Sequence, residues 1–148
     1  MAAASPITTA PAVYRVRPTY LDKVWPQVEP LFAKATAREN GRLTTRNIYH
    51  WIETGEQQLW VITRQGRYLA AALVHVYRHP TGKRAATLHL LGGSGVREWA
   101  QAAFDSWVQA CHLDGITEMN IVGRKGWLRY VGRFGFKPEA VILRREEV

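Results

Sequence analysis

A stretch near the middle of the chain places a strand, a glycine loop and a helix start in immediate succession. Residues 87–91 read Thr-Leu-His-Leu-Leu, residues 92–95 read Gly-Gly-Ser-Gly, and an apolar stripe at helical spacing begins at Val96. The first turn of a helix has N–H groups without intrahelical acceptors and a partial positive charge, and glycines let an anion approach such a backbone closely. This stretch therefore predicts an anion-binding turn between a strand and the longest helix, and the other elements must pack around it.

The composition predicts one globular domain in a reducing compartment. The chain has 148 residues and is 47% hydrophobic, which is enough for a single core without disulfide support. The only cysteine, Cys111, falls in the helical apolar pattern, so we expect a buried thiol and no internal disulfide. No apolar run reaches the roughly 18 residues of a membrane span, and the N-terminus has no signal-peptide pattern. We therefore expect a cytoplasmic protein without membrane contact.

Apolar periodicity and turn residues predict the element order β-α-α-β-β-β-α-β-α-β. Short turns at residues 65–66 and 80–83 predict that three consecutive strands form an antiparallel meander. The segment 85–122 has a strand, a helix and a strand, and it predicts a right-handed parallel crossover. The predicted strands are 13–17, 58–64, 67–78, 84–91, 116–122 and 136–145, and the predicted helices are 20–36, 45–54, 96–112 and 123–134.

Capping residues and prolines define the first two predicted helices. Thr19 is the expected N-cap of the first helix, because a hydroxyl there can accept a hydrogen bond from the first turn. Pro26 and Pro30 lack the N–H that a helix interior needs, so they should kink this helix or divide it in two. Thr44 or Thr45 is the expected N-cap of the second helix.

The element order and two glycine landmarks resemble the GCN5-related N-acetyltransferase (GNAT) fold. In that family the loop at the start of the main helix has the pattern Gln/Arg-x-x-Gly-x-Gly/Ala. Residues 93–95, Gly-Ser-Gly, match the second half of the pattern, and Leu90 falls at its first position. The last helix of the family commonly ends in Gly-Phe, which residues 135–136 match.

This resemblance implies a single α/β domain in which a mixed, mostly antiparallel sheet with a parallel splayed strand pair is flanked by helices. It also implies an acyl-CoA-dependent N-acyltransferase with acetyl-CoA as cofactor. The pantetheine arm would lie along the splayed strand, and the pyrophosphate would lie at the helix start. The cofactor-binding residues that the resemblance implies are Leu91, Gly92, Gly93, Ser94, Gly95, Val96 and Arg97.

The catalytic positions of the family are altered in this sequence. Its general base is often a Glu on the strand before the glycine loop or on the neighbouring strand, where this chain has His89 and His75 but no acid. Whether both histidines share a face depends on the hairpin register. When the closing Gly-Phe is aligned, Val131 falls where the family often has a Tyr as general acid, and Tyr130 lies one residue away. His89 and Tyr130 are therefore the candidate catalytic residues.

Other patterns give weaker functional signals. Ser94 is expected to cap the helix rather than to act as a nucleophile. The five histidines and single cysteine lack metal-ligand spacing, so no metal site is expected. Arg124 either faces a phosphate or an acidic partner or is an ordinary surface residue, and Trp127 is a candidate for flanking a ligand cleft.

Three functions remain open at the level of sequence. The first is the acyl-CoA-dependent transfer of an acetyl group to an unidentified amine. The second is a catalytically degenerate phage structural or assembly protein, because residues 55–61 and 123–127 resemble acetyltransferase-like proteins of tailed phages and prophages.

The second hypothesis would place the protein in the host cytoplasm or the virion. Residues 1–12, rich in Ala, Ser, Thr and Pro, would be a flexible arm for a phage partner, attached to a domain at 13–148. The third hypothesis, nucleic-acid binding, rests only on the net charge of +8, and no nucleic-acid motif accompanies it.

Overall fold

The computed structural model describes residues 10–146, which form one α/β domain around a five-stranded sheet. The strands are β1 (Ala12–Val16), β2 (Gln58–Arg64), β3 (Arg67–Arg78), β4 (Arg84–Gly93) and β5 (Glu118–Ile121), and they lie in the order β1-β2-β3-β4-β5. The helices are α1 (Leu21–Thr36), α2 (Thr45–Glu53), α3 (Val96–Leu113) and α4 (Leu128–Val131), with 3-10 turns at Pro18–Tyr20, Lys125–Trp127 and Gly132–Phe134.

The predicted antiparallel meander and the parallel pairing of the strands on either side of the longest helix are confirmed. β1 to β4 pair antiparallel with their neighbours, so β2, β3 and β4 form the predicted meander. β5 pairs parallel with β4, and α3 connects the two strands. Fold class and order therefore follow from the period-2 and period-3.6 patterns of the sequence.

Two apolar clusters cover the two faces of the sheet. On one face α3 contributes Trp99, Phe104 and Trp107. On the other face α1 and α2 contribute residues such as Phe32 and Ile48. The helix that carries Trp99 also carries Cys111, which is 4% exposed, and burial raises the pKa of its thiol to about 11. The prediction of a buried core cysteine is thus confirmed.

Helix α1 is one continuous helix, although Pro26 and Pro30 lie inside it. Both prolines are on its exposed face, so water can hydrogen-bond the carbonyl groups that lose their intrahelical partners. The prediction that Thr19 caps this helix is wrong. A 3-10 turn at Pro18–Tyr20 precedes the helix, and the N-cap is Tyr20, without a side-chain hydrogen bond.

Helix α2 begins as predicted with Thr44 as its N-cap. The Thr44 hydroxyl accepts a hydrogen bond from the Asn47 N–H at 3.3 Å, and the Thr44 N–H donates to Asn47 Oδ1 at 2.9 Å. This reciprocal capping box satisfies two backbone donors that a helix start otherwise leaves unpaired.

The end of the described chain differs from the prediction. The predicted final strand at 136–145 is wrong, because residues 137–146 form no regular structure and are all exposed. Val141, Ile142 and Leu143 are 80%, 72% and 92% exposed. β-branched residues favour a strand only where a neighbouring strand accepts their hydrogen bonds, and this segment has no such neighbour among residues 10–146.

The chain after β5 is also less helical than predicted. The predicted helix at 123–134 is divided into two 3-10 turns and the single turn of α4. Gly126 and Gly132 lie in this stretch, and glycine is a poor helix former.

At the other end, β1 begins at Ala12, one position before the predicted domain boundary. Residues 1–9 of the predicted arm lie outside the described residues. None of the helices described is long and apolar enough to cross a membrane.

Candidate active site between the diverging strands

The parallel pair formed by β4 and β5 opens at one end. Its register ends at the pair Leu88 and Ile121, followed by a hydrogen bond of 3.1 Å from the Val122 N–H to the Leu88 carbonyl. β4 then continues to Gly93, whereas β5 has ended. An open cleft of about 640 Å³ lies where the strands diverge, and it is lined by Ala35, Arg38, Glu39, Leu88, His89, Leu90, Leu91, Ile121, Val122, Gly123, Arg124 and Trp127.

A β-bulge orients His89, the predicted base. Leu73 pairs with Leu90 and Val74 with Leu88, so His89 has no partner on β3. The extra residue reverses the side-chain alternation, because Leu88 packs in the α3 cluster whereas Leu90 packs in the α1 and α2 cluster. The bulge is not visible in the sequence pattern, and it places His89 at the wall of the cleft.

The surroundings of His89 favour a neutral ring. Its Nδ1 lies 3.2 Å from Gln57 Oε1, and its ring centroid lies 5.7 Å from that of Trp51. Burial lowers the pKa of His89 below its ordinary 6.5, the charge of Glu39 acts in the opposite direction, and the proximity of His75 lowers the pKa further. At neutral pH His89 can therefore accept a proton, which is what a general base requires.

The second histidine shares this face of the sheet. His75 pairs with Thr87, which precedes His89 by two positions on β4. The His75 ring stacks on Tyr77 with centroids 5.1 Å apart, and the Tyr77 hydroxyl accepts a hydrogen bond of 3.2 Å from the Asn120 side chain. A polar surface thus extends across β3, β4 and β5 beside His89.

Two glycines of the predicted loop are required by packing. A Cβ atom at Gly92 would lie 2.1 Å from the Leu31 carbonyl oxygen of α1. At Gly93, where φ is +144°, a Cβ atom would lie 2.4 Å from the Leu69 carbonyl oxygen of β3. The glycine signal in the sequence therefore reflects the close approach of α1 and β3, in addition to any ligand.

Ser94 does not cap α3, so that prediction is wrong. The N-cap is Gly95 in a left-handed conformation with φ of +73° and no side-chain hydrogen bond. Ser94 instead joins the loop to its neighbours. Its N–H donates to the Leu69 carbonyl at 3.2 Å, and its carbonyl accepts from Trp99 Nε1 at 2.8 Å. These contacts fix the start of the helix against β3.

The start of α3 has the features predicted for anion binding. By helix geometry the N–H groups of Val96 and Arg97 have no intrahelical acceptor. The Arg97 side chain is exposed. Glu98 lies within 4 Å of where a Gly95 Cβ would be, and its carboxylate pairs with Arg64 at 2.6 Å. A cation from β2 thus stands beside the loop in which Leu90 replaces the Gln or Arg of the GNAT pattern.

Tyr130, the predicted acid, does not line the cleft. Its ring contacts Trp127 edge-on with centroids 5.9 Å apart, and Arg129 stacks on it at 5.8 Å. Trp127 does line the cleft, as expected. The structure therefore brings His89 and Leu91 together in one cleft and leaves Tyr130 outside its lining.

Sequence reasoning missed three residues of this site, namely Gln57, Arg38 and Glu39. Gln57 is only 8% exposed, which is unusual for a glutamine in a connection between a helix and a strand. Arg38 and Glu39 follow α1 and line the cleft. No local pattern identifies them, because their role depends on where α1 ends relative to β4.

Residues 10–146 contain no group of three or more His, Cys, Asp or Glu side chains that could hold a metal ion.

Solved structures share this fold at low sequence identity. An aminoglycoside acetyltransferase from an uncultured soil metagenomic sample, in complex with sisomicin, is 13% identical with a TM-score of 0.70, and the match covers 93% of this chain and 95% of that one. A GCN5-related N-acetyltransferase from Ralstonia eutropha JMP134 is 16% identical with a TM-score of 0.62, covering 92% and 98%.

A predicted acetyltransferase from Clostridium acetobutylicum, solved with acetyl-CoA, is 13% identical with a TM-score of 0.63, and the match covers 92% of this chain and 96% of that one. No protein-family model and no curated protein matches the sequence. The likeness at these identities concerns the fold, and it spans nearly the full length of each chain.

Proposed function

Given the GNAT fold of this chain, we propose that it is an acyl-CoA-dependent N-acyltransferase that acts in the cleft between β4 and β5. The observation that carries this proposal is the divergence of the strands beyond Leu88, with His89 at the wall of the opening. The acetyltransferase neighbours, one of them solved with acetyl-CoA, support the same assignment.

The residues present fit acetyl-CoA. Leu91 lines the cleft in which the pantetheine arm would lie. The loop 92–95 and the first N–H groups of α3, at Val96 and Arg97, would hold the pyrophosphate, because a helix start attracts phosphate. Arg64 lies beside this loop with its guanidinium group paired to the Glu98 carboxylate, so the backbone donors carry the proposed phosphate binding. Bound acetyl-CoA would supply a thioester whose acyl carbon an amine can attack.

His89 is the proposed base. Gln57 Oε1 can accept but not donate, so Nδ1 carries the ring proton and Nε2 keeps a lone pair for the proton of an amine. The neutral ring has this lone pair at physiological pH. Holding the amine beside the acyl group contributes rate as well, because positioned reactants need no further loss of translational freedom.

Tyr130 stays a predicted acid. Its ring contacts Trp127 and packs against the α3 cluster, and it is not part of the cleft lining. A Tyr130→Phe variant tests this role. A fall in kcat with unchanged acetyl-CoA affinity is expected if the hydroxyl donates a proton, and an unchanged kcat would remove it from the mechanism.

Calorimetric titration of the purified chain with acetyl-CoA tests the proposal. Gly95 is the suitable site for variants, because a Cβ there meets only the Glu98 side chain, and Asp and Asn both tolerate a left-handed conformation. Gly95→Asp should weaken binding by about tenfold or more relative to its matched control Gly95→Asn, because only Asp places a charge at the phosphate site. Absence of binding to the folded wild-type chain would contradict the proposal.

A degenerate assembly protein is the second candidate. The lack of a carboxylate base on β3 and β4, and the position of Tyr130 outside the cleft, favour it. It would be a phage or prophage component in the host cytoplasm or virion, with a partner at residues 1–12. Failure to bind acetyl-CoA together with co-purification with virions would support this candidate, and turnover of any amine would exclude a purely structural role.

A further inference from the structure

Two arginines line the cleft without a partner. Arg38 follows α1 and Arg124 follows β5, so two different elements bring them to the lining of the cleft. Both side chains are exposed, and neither makes a hydrogen bond or an ion pair within residues 10–146. Three other arginines have partners, since Arg42 pairs with Glu146, Arg78 donates to the Gly82 carbonyl and Arg84 donates to the Asp114 carbonyl.

The charge of the cleft lining favours an anion. Arg38 and Arg124 carry two positive charges, Glu39 carries one negative charge, and His89 is neutral because burial lowers its pKa. Glu39 and His89 line the same cleft, so the Glu39 carboxylate lies in the same opening as the proposed base. The cleft thus has a carboxylate near the base and two guanidinium groups at its walls.

The proposal rests on the function proposed above, and it names the acceptor. We infer that the amine accepted by this site carries its own carboxylate, as an amino acid or a short peptide does. Its amino group would lie between Glu39 and His89, and its carboxylate would bind Arg38 and Arg124. The planar guanidinium group matches a carboxylate with two parallel hydrogen bonds, which makes arginine well suited to this recognition.

The position of Arg38 assigns the anion to the acceptor rather than to the cofactor. Phosphates of acetyl-CoA would lie at the start of α3, where Gly95 and Val96 provide the backbone donors. Arg38 instead adjoins Glu39, and both line the cleft together with His89. A group that reaches Arg38 is therefore part of the molecule whose amine meets the base.

The experiment compares matched acceptors with acetyl-CoA as donor. Free amino acids are assayed against their carboxamides, which keep the amine and lose the negative charge. For each amino acid that the enzyme accepts, the wild-type kcat/KM should be about tenfold or more higher for the free acid than for its carboxamide. The carboxamide has no carboxylate to pair with the two arginines. In the Arg38→Gln and Arg124→Gln variants, the ratio of kcat/KM for the free acid to kcat/KM for the carboxamide should fall towards one. Arg46 is an exposed arginine of α2 outside the cleft, so the Arg46→Gln variant is the control. This variant should keep the wild-type preference for the free acid.

The outcomes separate this inference from the proposed function. If acetyl-CoA binds by calorimetry but carboxamides serve as well as free acids, the inference is overturned and the proposed function stands. Assays with succinyl-CoA as donor are compared with assays with acetyl-CoA. If Arg38→Gln alters turnover only with succinyl-CoA, Arg38 binds the carboxylate of the acyl group and not that of the acceptor, and the inference is again overturned. If acetyl-CoA does not bind, both fail together.

Discussion

Gln57 controls the chemistry available to His89 at the scale of single residues. Its backbone N–H donates to the Trp51 carbonyl at 3.1 Å, and its side-chain oxygen meets His89 Nδ1 at 3.2 Å. The amide thereby selects the ring tautomer with a lone pair on Nε2, while burial lowers the pKa of the ring. The lowered pKa means that the neutral base is present from slightly acidic pH upward.

Gln57→Glu is predicted to raise the pKa of His89. An ionised carboxylate beside Nδ1 stabilises the imidazolium, so the acidic limb of kcat/KM should move to higher pH by about one unit or more. NMR titration of the His89 ring measures the same shift without an activity assay.

The matched control for this prediction is Gln58→Glu. Gln58 Oε1 accepts from Trp60 Nε1 at 3.0 Å instead of meeting His89. Gln58→Glu adds the same charge one residue away. In this variant the pKa of His89 should stay close to the wild-type pKa. An unchanged titration in Gln57→Glu would mean that the two side chains do not interact.

At the scale of elements, α1 packs unusually close to β4. The Leu31 carbonyl occupies the space that a Gly92 side chain would need. This close contact brings the end of α1, with Arg38 and Glu39, against the wall of the cleft. Gly92 of the predicted phosphate loop therefore helps to position Arg38 and Glu39 at the cleft.

Gly92→Ala is predicted to destabilise the domain by about 1–3 kcal/mol or more, because its methyl group meets backbone atoms that cannot rotate away. Urea unfolding measures the loss. Gly132→Ala is the control, since a Cβ there meets nothing within 4 Å and the backbone is helical. It should leave the free energy of unfolding unchanged or raise it by up to about 1 kcal/mol.

Glu118 connects β5 to the turn between β3 and β4. Its carboxylate accepts hydrogen bonds from Asn120 at 3.0 Å and His79 at 2.9 Å, and Lys83 lies 3.6 Å away. The hydrogen bond from Asn120, followed by that from His79, lowers the pKa of Glu118 from 4.5 to about 2. Because the folded pKa is below the unfolded one, the stabilisation is present above about pH 4.5 and is lost as pH falls towards 2.

The wild type is therefore expected to have a higher Tm than Glu118→Gln at pH 6, and the difference should shrink towards zero near pH 2.5. Thermal unfolding followed by circular dichroism across this range measures it. Glu139→Gln removes the same charge from an exposed residue without a contact in residues 10–146. If Glu139→Gln shows the same pH-dependent difference in Tm from the wild type, the effect arises from the change in net charge and not from the Glu118 contacts.

At the scale of the whole molecule, the two faces of the sheet have different tasks. The α3 face is a continuous apolar core, which includes Trp99 and Cys111. The α1 and α2 face is apolar over β2 and carries polar residues farther across the sheet, at His75 on β3 and at Thr87 and His89 on β4. The cleft opens at the boundary between the two, where the parallel pair separates.

The segment after Phe136 contributes little to this architecture. Its end meets the rest of the domain through the exposed Arg42–Glu146 pair at 2.7 Å, a contact of a kind that stabilises weakly. Ile142→Ser combined with Leu143→Ser should change the free energy of unfolding by no more than about 0.5 kcal/mol.

Val131→Ser is the control for this prediction, because Val131 is 3% exposed. It should cost about 2 kcal/mol or more, because it leaves a cavity and buries a hydroxyl. A comparable loss in the Ile142 and Leu143 variant would mean that this segment is part of the folded core in solution.

The sequence by itself determined the fold class and the order of the elements up to β5. Alternating and helical apolar spacing, two short turns and Thr44 were sufficient for β2, β3, β4, α2 and α3, because these signals are local. The glycine landmarks added the resemblance to the GNAT fold, and the same glycines hold α1 and β3 close to β4.

Only the tertiary structure decided which residues form the site. The bulge at His89, the contact with Gln57 and the placement of Arg38 and Arg124 in one cleft depend on strand register and on where distant elements end. Likewise, residues 140–143 have strand-forming side chains, but a strand needs a partner, and none lies beside them in the described chain. Local sequence carries propensity and period, whereas pairing and proximity are properties of the folded chain.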